Sequence, residues 1–194
     1  MAQPLRTVLL LGRPGSGKGT QTELLAKRLG WKTLSSGNIF RALRDGDSKL
    51  SEKVRAMYDS GIIFPHWFPA YLFQNAVLYM DPEEGLICEG FSRAVDEAVL
   101  FDEVLKFLGR DYIVFNLGVS EEEAMRRQLE RNKVDARTDS DTPEKIQIRF
   151  NEYTAKTEPV LAFFKEKGTL VEIDGEQTPE EIAKVLFERL EGLV

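Results

Sequence analysis

The sequence predicts an α/β fold around a parallel β-sheet, and two patterns support this prediction. Five short apolar segments alternate with segments of helical periodicity, as in proteins whose parallel strands are joined by crossover helices. The first apolar segment also runs directly into a glycine-rich loop and then into an amphipathic run, which is the order strand, loop, helix. Ligands of such sheets bind at the carboxyl ends of the strands. The predicted strands are residues 8–11, 33–34, 86–88, 112–117 and 170–173.

The loop after the first predicted strand has the spacing of a phosphate-binding P-loop, G-x-x-x-x-G-K, between Gly12 and Lys18. In this motif backbone N–H groups wrap a phosphate chain, the lysine reaches the outer phosphates, and the next helix directs its positive end at the anion. Glycines are needed because the loop adopts positive φ and approaches its ligand closely. Gly19 stands where many P-loop proteins carry a Mg²⁺-binding Ser or Thr, and Thr20 follows. A glycine turn that binds nothing is the alternative, and the flanking strand and helix argue against it.

Three helical patterns, at residues 38–44, 50–60 and 67–80, lie between the second and third predicted strands. This stretch is longer than one crossover helix requires. It therefore predicts an inserted helical subdomain.

Capping signals mark the starts of the later helices. Ser120 with Glu123, and Thr178 with Glu181, have the spacing of a capping box. Thr142 precedes a proline that stands at the first helical position, a favoured place for proline. We therefore expect helices to begin at these three points.

The helix that begins after Thr142 is predicted to continue to about residue 167. Pro159 lies inside it, so we expect a kink or a break there. The polar and charged residues 132–141, between two helical runs, predict a mobile loop.

Length, charge and cysteine content narrow the class of protein. A chain of 194 residues with 42% hydrophobic and 30% charged residues is typical of one globular domain. The net charge of −6 argues against a general nucleic-acid-binding surface, and the single cysteine, Cys88, permits neither a disulfide nor a cysteine-based zinc site within the chain. The start MAQPLR lacks a signal-peptide pattern and no apolar run approaches membrane-spanning length. We expect a cytoplasmic enzyme with no membrane partner.

Five arginines stand next to the ends of predicted segments. Their guanidinium groups are permanently charged and bidentate, which suits phosphoryl oxygens. Each alone is more often a surface or salt-bridge arginine, so their weight comes from occurring together with a P-loop. They are Arg41, Arg93, Arg131, Arg137 and Arg149.

Motifs along the chain point to one family. They are GRPGSGKGTQ at 12–21, LSSGNIFR at 34–41, GIIFP at 61–65, EGFSR at 89–93, and a region running from Arg127 through RTD at 137–139 to TEP at 157–159. In these motifs, and in their order, the chain resembles the adenylate kinases of the nucleoside monophosphate kinase family, in their short-lid form. The resemblance runs from residue 7 to about residue 175, and the long zinc-bearing lid of some relatives is absent.

The resemblance implies a three-layer P-loop fold with a five-stranded parallel sheet in a single kinase domain, residues 1–194. The core would comprise residues 1–34, 82–131 and 142–194. A helical NMP-binding insert would occupy residues 35–64, followed by a helix to residue 81 that packs on the core. A short lid would occupy residues 132–141.

The resemblance also implies roles for individual residues. The catalytic residues would be Lys18, Arg93, Arg131, Arg137 and Arg149. ATP would be held by Gly12, Pro14, Gly15, Ser16, Gly17, Lys18, Gly19, Thr20, Arg127, Arg131 and Gly175. AMP would be held by Ser36, Arg41, Phe64, Gly90, Arg93, Glu97, Arg137 and Arg149. Glu89 would hold Mg²⁺ through water, and no zinc is expected. The partners would be the small nucleotides ATP, AMP and ADP, bound by a monomer.

Three residues depart from the family pattern. Glu89 replaces the aspartate of D-G-F-P-R and Ser92 replaces its proline; we expect activity to survive both changes. Glu97 replaces a glutamine that reads adenine through N1 and N6. An ionised carboxylate only accepts hydrogen bonds, so Glu97 would suit guanine better than adenine.

Two interpretations of Glu97 follow. In the first, the acceptor site is less selective for adenine, or takes GMP or a pyrimidine monophosphate. In the second, Glu97 points away and Asn38, Phe64 or backbone groups hold the base.

The leading function is therefore transfer of a phosphoryl group from ATP to AMP. A kinase that prefers GMP, UMP or CMP is one alternative, and a nucleotide-binding module without turnover is another. A P-loop GTPase is disfavoured because no N-K-x-D-type segment occurs.

Overall fold

The computed structural model describes residues 5–60, 63–135 and 137–194. Its centre is a five-stranded, all-parallel sheet in the order β2-β3-β1-β4-β5, which confirms the predicted fold class. Each strand is one or two residues longer than predicted, because ladder pairing continues into polar residues that the apolar pattern leaves out. The strands are β1 (Thr7–Leu11), β2 (Lys32–Ser35), β3 (Leu86–Glu89), β4 (Tyr112–Gly118) and β5 (Leu170–Asp174).

Helices cover both faces of the sheet. They are α1 (Lys18–Leu29), α2 (Ser36–Arg44), α3 (Lys49–Asp59), α4 (Trp67–Val77), α5 (Val95–Phe107), α6 (Glu121–Asn132), α7 (Pro143–Glu152), α8 (Glu158–Glu166) and α9 (Pro179–Leu190). In the part of the chain that the structure describes, none of them combines the length and apolarity needed to cross a bilayer.

The side chains of β1 alternate between two hydrophobic cores. Leu9 and Leu11 pack with residues of α4, α5 and α8 on one face of the sheet. Val8 and Leu10 pack with residues of α1 and α9 on the other face. A strand covered on both faces reads as a continuous apolar run, and this explains the pattern of β1. The result is the predicted three-layer arrangement.

One of the two predicted capping boxes is complete. Thr178 accepts a hydrogen bond from the N–H of Glu181, and the Glu181 carboxylate accepts one from the N–H of Thr178. Ser120 accepts from the N–H of Glu123, but its own N–H donates to Glu176 at 2.8 Å. The predicted hydrogen bond from the N–H of Ser120 to the Glu123 carboxylate is therefore wrong. That carboxylate accepts from two arginines of its own helix instead.

The predicted break at Pro159 takes another form. The chain remains helical from α7 through a π-helical turn, Tyr153–Thr157, into α8. Proline has no N–H and its ring collides with the carbonyl group four residues earlier. A wide turn just before Pro159 accommodates both defects without interrupting the helix.

The insert between β2 and β3 has a small core of its own. Phe40 of α2 stacks on Phe64 with ring centroids 4.0 Å apart, and Val54 and Tyr58 of α3 pack beside them. Residues 61 and 62, which begin the GIIFP motif, lie outside the described residues, as do residues 1–4.

Candidate active site

A cleft of about 640 Å³ opens at the carboxyl ends of the central strands, where the loops after β1, β2 and β3 meet. The insert forms one wall, and α6, α7 and the loop between them form another. Most residues predicted from the sequence lie on its surface. They are Pro14, Gly15, Gly17, Lys18, Gly19, Thr20, Arg41, Phe64, Glu89, Gly90, Arg93, Arg127, Arg131, Arg137 and Arg149.

The P-loop folds around the ammonium group of Lys18. The Nζ atom donates to the carbonyl oxygens of Gly12 at 2.7 Å and Arg13 at 3.0 Å. Gly12 has a φ of 139°, and a Cβ atom there would lie 2.6 Å from Ser16 Oγ. Gly12 and the buried Ser16 therefore shape the loop from behind and do not line the cleft. Burial lowers the pKa of Lys18 to about 7, although the Glu89 carboxylate opposes this shift.

Three arginines converge on the same space, each held by a polar partner. Arg93 donates from Nε to the carbonyl of its neighbour Gly90 at 2.8 Å. Arg131 donates to a serine hydroxyl of the loop after α6 at 2.9 Å. Arg149 pairs with Asp139 at 3.0 Å. Burial, followed by repulsion from Arg137 and Arg149, lowers the pKa of Arg131 to about 10. Burial also lowers the pKa of Arg149, with Asp139 opposing the shift and Arg93 adding to it. A cleft in which cations repel one another is suited to anionic ligands.

The insert side of the cleft is more polar than predicted. Arg41 donates to Asn38 and, at 3.4 Å, to the hydroxyl of Tyr58, and all three line the cleft. Ser36 is buried outside the cleft; its hydroxyl donates to the carbonyl of Gly90 at 2.6 Å. Ser36 therefore supports the loop after β3 and does not itself line the cleft.

Glu97, one of the residues predicted to hold AMP, does not line the cleft in this structure. Its side chain borders a separate small cavity behind the loop after β3 and is 3% exposed. Its Oε2 atom accepts a hydrogen bond from the backbone N–H of Arg93 at 3.0 Å. The second interpretation agrees with this placement, because Asn38 and Phe64 do line the cleft.

Gly175 also stands behind the surface. Its carbonyl accepts a hydrogen bond from Arg127 at 2.8 Å, and a Cβ atom at Gly175 would lie 2.7 Å from Val119. The glycine thus lets the turn after β5 approach β4 closely while it fixes Arg127.

Some cleft residues were missed by the motif analysis. Gln128 neighbours the predicted Arg127 in sequence and packs against Gly15 of the P-loop. Its buried amide nitrogen has no hydrogen-bond partner in the described part of the chain. Tyr58 lies on α3, a segment chosen for its helical pattern alone. The side that a residue faces depends on packing between segments distant in sequence, which local motifs do not report.

Glu89 fits the role predicted for it with Mg²⁺. Its Oε1 atom accepts a hydrogen bond from Ser35 at 2.7 Å, and its carboxylate lies 3.8 Å from where a Cβ atom of Gly19 would stand. The described residues contain no group of three or more His, Cys, Asp or Glu that could hold a metal by itself. Mg²⁺ keeps several waters and binds through one or two carboxylates plus substrate phosphates, and one carboxylate beside a P-loop meets that requirement.

Comparison with known proteins agrees with this geometry. The family model described as "Adenylate kinase" matches residues 10–169. The adenylate kinase of Thermobifida fusca is 36% identical over 178 residues, which cover 91% of this chain and 94% of the relative. The adenylate kinase of Flavobacterium johnsoniae is 31% identical over 187 residues, covering 96% and 98%. Adenylate kinase 1 of Synechocystis sp. is 36% identical over 178 residues, covering 91% and 92%.

Proposed function

Since this chain belongs to the adenylate kinase family and is a phosphotransferase, we propose that its cleft aligns ATP and AMP for reversible transfer of one phosphoryl group, giving two ADP. The observation that carries the proposal is the convergence of Lys18, Arg93, Arg131, Arg137 and Arg149 on one cleft beside a P-loop. Phosphoryl transfer brings two anions together, so positioning and electrostatic stabilisation supply most of the catalysis.

The two sides of the cleft take different nucleotides in this proposal. The P-loop and Lys18 hold the phosphates of ATP, with Arg127 near the donor base. Arg41 and Arg93 hold the phosphate of AMP. Arg131, Arg137 and Arg149 stand between the two and neutralise the transferring group.

No general base is required by this chemistry. The attacking atom is an oxygen of the AMP phosphate, and the second pKa of a phosphate monoester is about 6, so this group is ionised at neutral pH. The chain's own groups bind and orient both phosphates and exclude water. Mg²⁺ bound with ATP would neutralise charge on the polyphosphate, and Glu89 would hold it through water.

Direct contact between the two walls suggests how water is excluded. Thr138, in the loop after α6, donates to Asp59 at the end of α3 at 2.5 Å, and Asp59 also pairs with Arg44 at 2.8 Å. Lys145 of α7 donates to the carbonyl of Thr138 at 2.6 Å. We take residues 132–141 as a lid, residues 35–64 as the NMP-binding insert, and the Thr138–Asp59 contact as a latch between them.

Substitution Thr138→Val tests this latch. It removes the hydroxyl and keeps the side chain's size, so the closed arrangement loses one hydrogen bond to a carboxylate. We expect the KM values for ATP and AMP both to rise, about 3- to 10-fold, with kcat reduced less than about twofold. The matched control is Thr154→Val, an exposed threonine in the π-helical turn. Unchanged KM values in Thr138→Val would show that the contact does not support closure.

The acceptor is tested by incubating the protein with ATP and Mg²⁺ against AMP, GMP, CMP and UMP in parallel and resolving the products. We expect AMP to be phosphorylated at least about tenfold faster than the others, because the chain belongs to the adenylate kinase family and Glu97 does not line the cleft. Preference for another monophosphate would reject AMP as the acceptor. Binding of ATP without transfer to any acceptor would favour the non-catalytic module.

The working form proposed is a monomer in the cytoplasm. One chain supplies every wall of the cleft among the residues the structure describes, so no second copy is needed to complete it. Sedimentation velocity at assay concentrations should give a single species of about the 22.0 kDa of one chain. A stable dimer would contradict this part of the proposal.

A further inference from the structure

The loop after β3 contains a strained residue next to a catalytic arginine. Ser92 has a φ of 56°, and among residues 5–60, 63–135 and 137–194 it is the only non-glycine residue with positive φ. The left-handed region is unfavourable for residues with a Cβ atom, and such residues persist where the surroundings over-determine them. Contacts from the surrounding residues must therefore stabilise the positive φ of Ser92.

The carboxylate of Glu97 supplies that restraint. Its Oε2 atom accepts from the N–H of Arg93 at 3.0 Å, and the N–H of Ser92 faces the same carboxylate. Successive N–H groups that converge through a left-handed residue form an anion-binding nest. Here the nest is filled by a side chain of α5, five residues further along the chain than Ser92.

The backbone of Arg93 is held from the opposite side as well. Its carbonyl accepts a hydrogen bond from the hydroxyl of Thr157 at 2.9 Å, in the π-helical turn before α8. With its peptide groups held at both ends, Arg93 directs its guanidinium along Gly90 and Ser36, at 2.8 and 3.4 Å, into the cleft.

The surroundings of Glu97 are otherwise mostly apolar. Phe73, Phe91, Leu100 and Phe101 border the same cavity together with the polar Gln74 and Ser92, and Oε1 has no hydrogen-bond partner among the described residues. Burial accordingly raises the pKa of Glu97 to about 7, and the positive charge of Arg93 opposes the shift. A buried carboxyl group is costly unless it is hydrogen-bonded, so its contacts with the nest are the stabilising ones.

We propose that Glu97 is a positioning residue, whose carboxylate holds the turn at Ser92 and Arg93 and thereby aims the Arg93 guanidinium at the phosphate of the acceptor. The inference rests on the proposed function, in which Arg93 binds that phosphate. In this proposal the residues at positions 92 and 97 depend on each other. A proline at position 92 would have no N–H to donate to the Glu97 carboxylate, and its φ would be near −65°.

The test compares Glu97→Gln with Glu97→Leu, and uses Glu103→Gln on the exposed side of α5 as control. Glutamine keeps an acceptor oxygen, so we expect kcat/KM for AMP within about threefold of the parent protein. Leucine removes the acceptor, and a displaced arginine should lower kcat/KM for AMP by about 10- to 100-fold while KM for ATP changes less than about twofold. Equal kinetics for the leucine variant and the parent protein would overturn the proposal.

A second measurement does not depend on turnover. In the parent protein the amide ¹H shift of Arg93 should titrate with a midpoint near pH 7, following the Glu97 carboxyl, and should be invariant in Glu97→Gln. Hydrogen exchange of the same amide should be at least about tenfold faster in Glu97→Leu. Arg93 signals that neither titrate nor lose protection would refute the contact. If the contact between Arg93 and Glu97 is present but the parent protein does not phosphorylate AMP, the proposed function is rejected while the contact between Glu97 and the backbone is confirmed.

Discussion

Substitution of Lys18 by methionine is expected to lower kcat for phosphoryl transfer by about 10²- to 10³-fold. The Nζ atom lies 2.7 and 3.0 Å from two carbonyl oxygens of the P-loop. In our proposal the outer phosphates of ATP bind at this point. Removal of one preorganised donor from a transition state costs about 2.7–4 kcal/mol, which corresponds to that range. Methionine preserves the length of the side chain, so the loss reports the charge and the donors.

The lowered pKa of Lys18 makes a second result measurable. With a pKa of about 7 in the free protein, most Lys18 side chains are neutral at pH 8. A bound polyphosphate favours the ammonium form and raises the pKa in the complex, so ATP binding at pH 8 should take up about 0.9 proton and at pH 6 about 0.1. The affinity for ATP that the charged form of Lys18 contributes is fully present below pH 7. It is lost as the pH rises from 7 toward the pKa of Lys18 in the complex.

Isothermal titration calorimetry in two buffers of different ionisation enthalpy measures this proton uptake. The protons that ATP itself exchanges are common to all variants, so the difference between the parent protein and Lys18→Met isolates the lysine. Lys27→Met, an exposed lysine of the same helix, should behave as the parent protein. Identical proton uptake in Lys18→Met and the parent protein would contradict the assignment.

Local sequence signals were sufficient for the sheet and the P-loop. A parallel strand covered on both faces is apolar throughout, so β1 could be predicted from its own residues without knowledge of the neighbouring strands. The P-loop is equally local, since strand, glycines, Lys18 and helix follow one another directly. The positions of five arginines at segment ends marked them as phosphate-binding candidates. Their convergence from α2, the loop after β3, α6, α7 and the loop between these two helices was not a local signal, and their individual roles came from the resemblance to a family.

The direction of a side chain was less predictable where distant groups compete for it. The motif predicts that Glu97 could face a nucleotide base, but its carboxylate instead contacts backbone N–H groups of its own chain. This contact depends on the positive φ of Ser92. The N–H of Ser120 is taken by Glu176, 56 residues away, in place of Glu123. Spacing within a motif carries no information about either competitor.

Arg149→Met is expected to cause the other large loss, a fall in kcat of about 10²- to 10³-fold. Arg149 is largely buried, pairs with Asp139 at 3.0 Å, and lies near enough to Lys18 and Arg93 to repel both. Those cations bind the donor and the acceptor in our proposal. In that proposal Arg149 stands where negative charge shifts between them, so we expect its interaction to be strongest in the transition state.

Two comparisons separate charge from geometry. Arg149→Lys keeps the charge and loses the planar bidentate fork, so its kcat should lie between those of Arg149→Met and the parent protein. Arg126→Met, an exposed arginine of α6, should leave kcat unchanged within about twofold.

Binding measured for each nucleotide alone separates an effect of Arg149 on the transition state from an effect on substrate binding. An interaction made only in the transition state lowers kcat and kcat/KM by the same factor and leaves ground-state affinity nearly constant. We therefore expect the Kd values for ATP and for AMP in Arg149→Met to change less than about fivefold while kcat falls by two to three orders of magnitude. A loss confined to KM would instead assign Arg149 to uniform substrate binding, and would move the catalytic role to the remaining cations of the cleft.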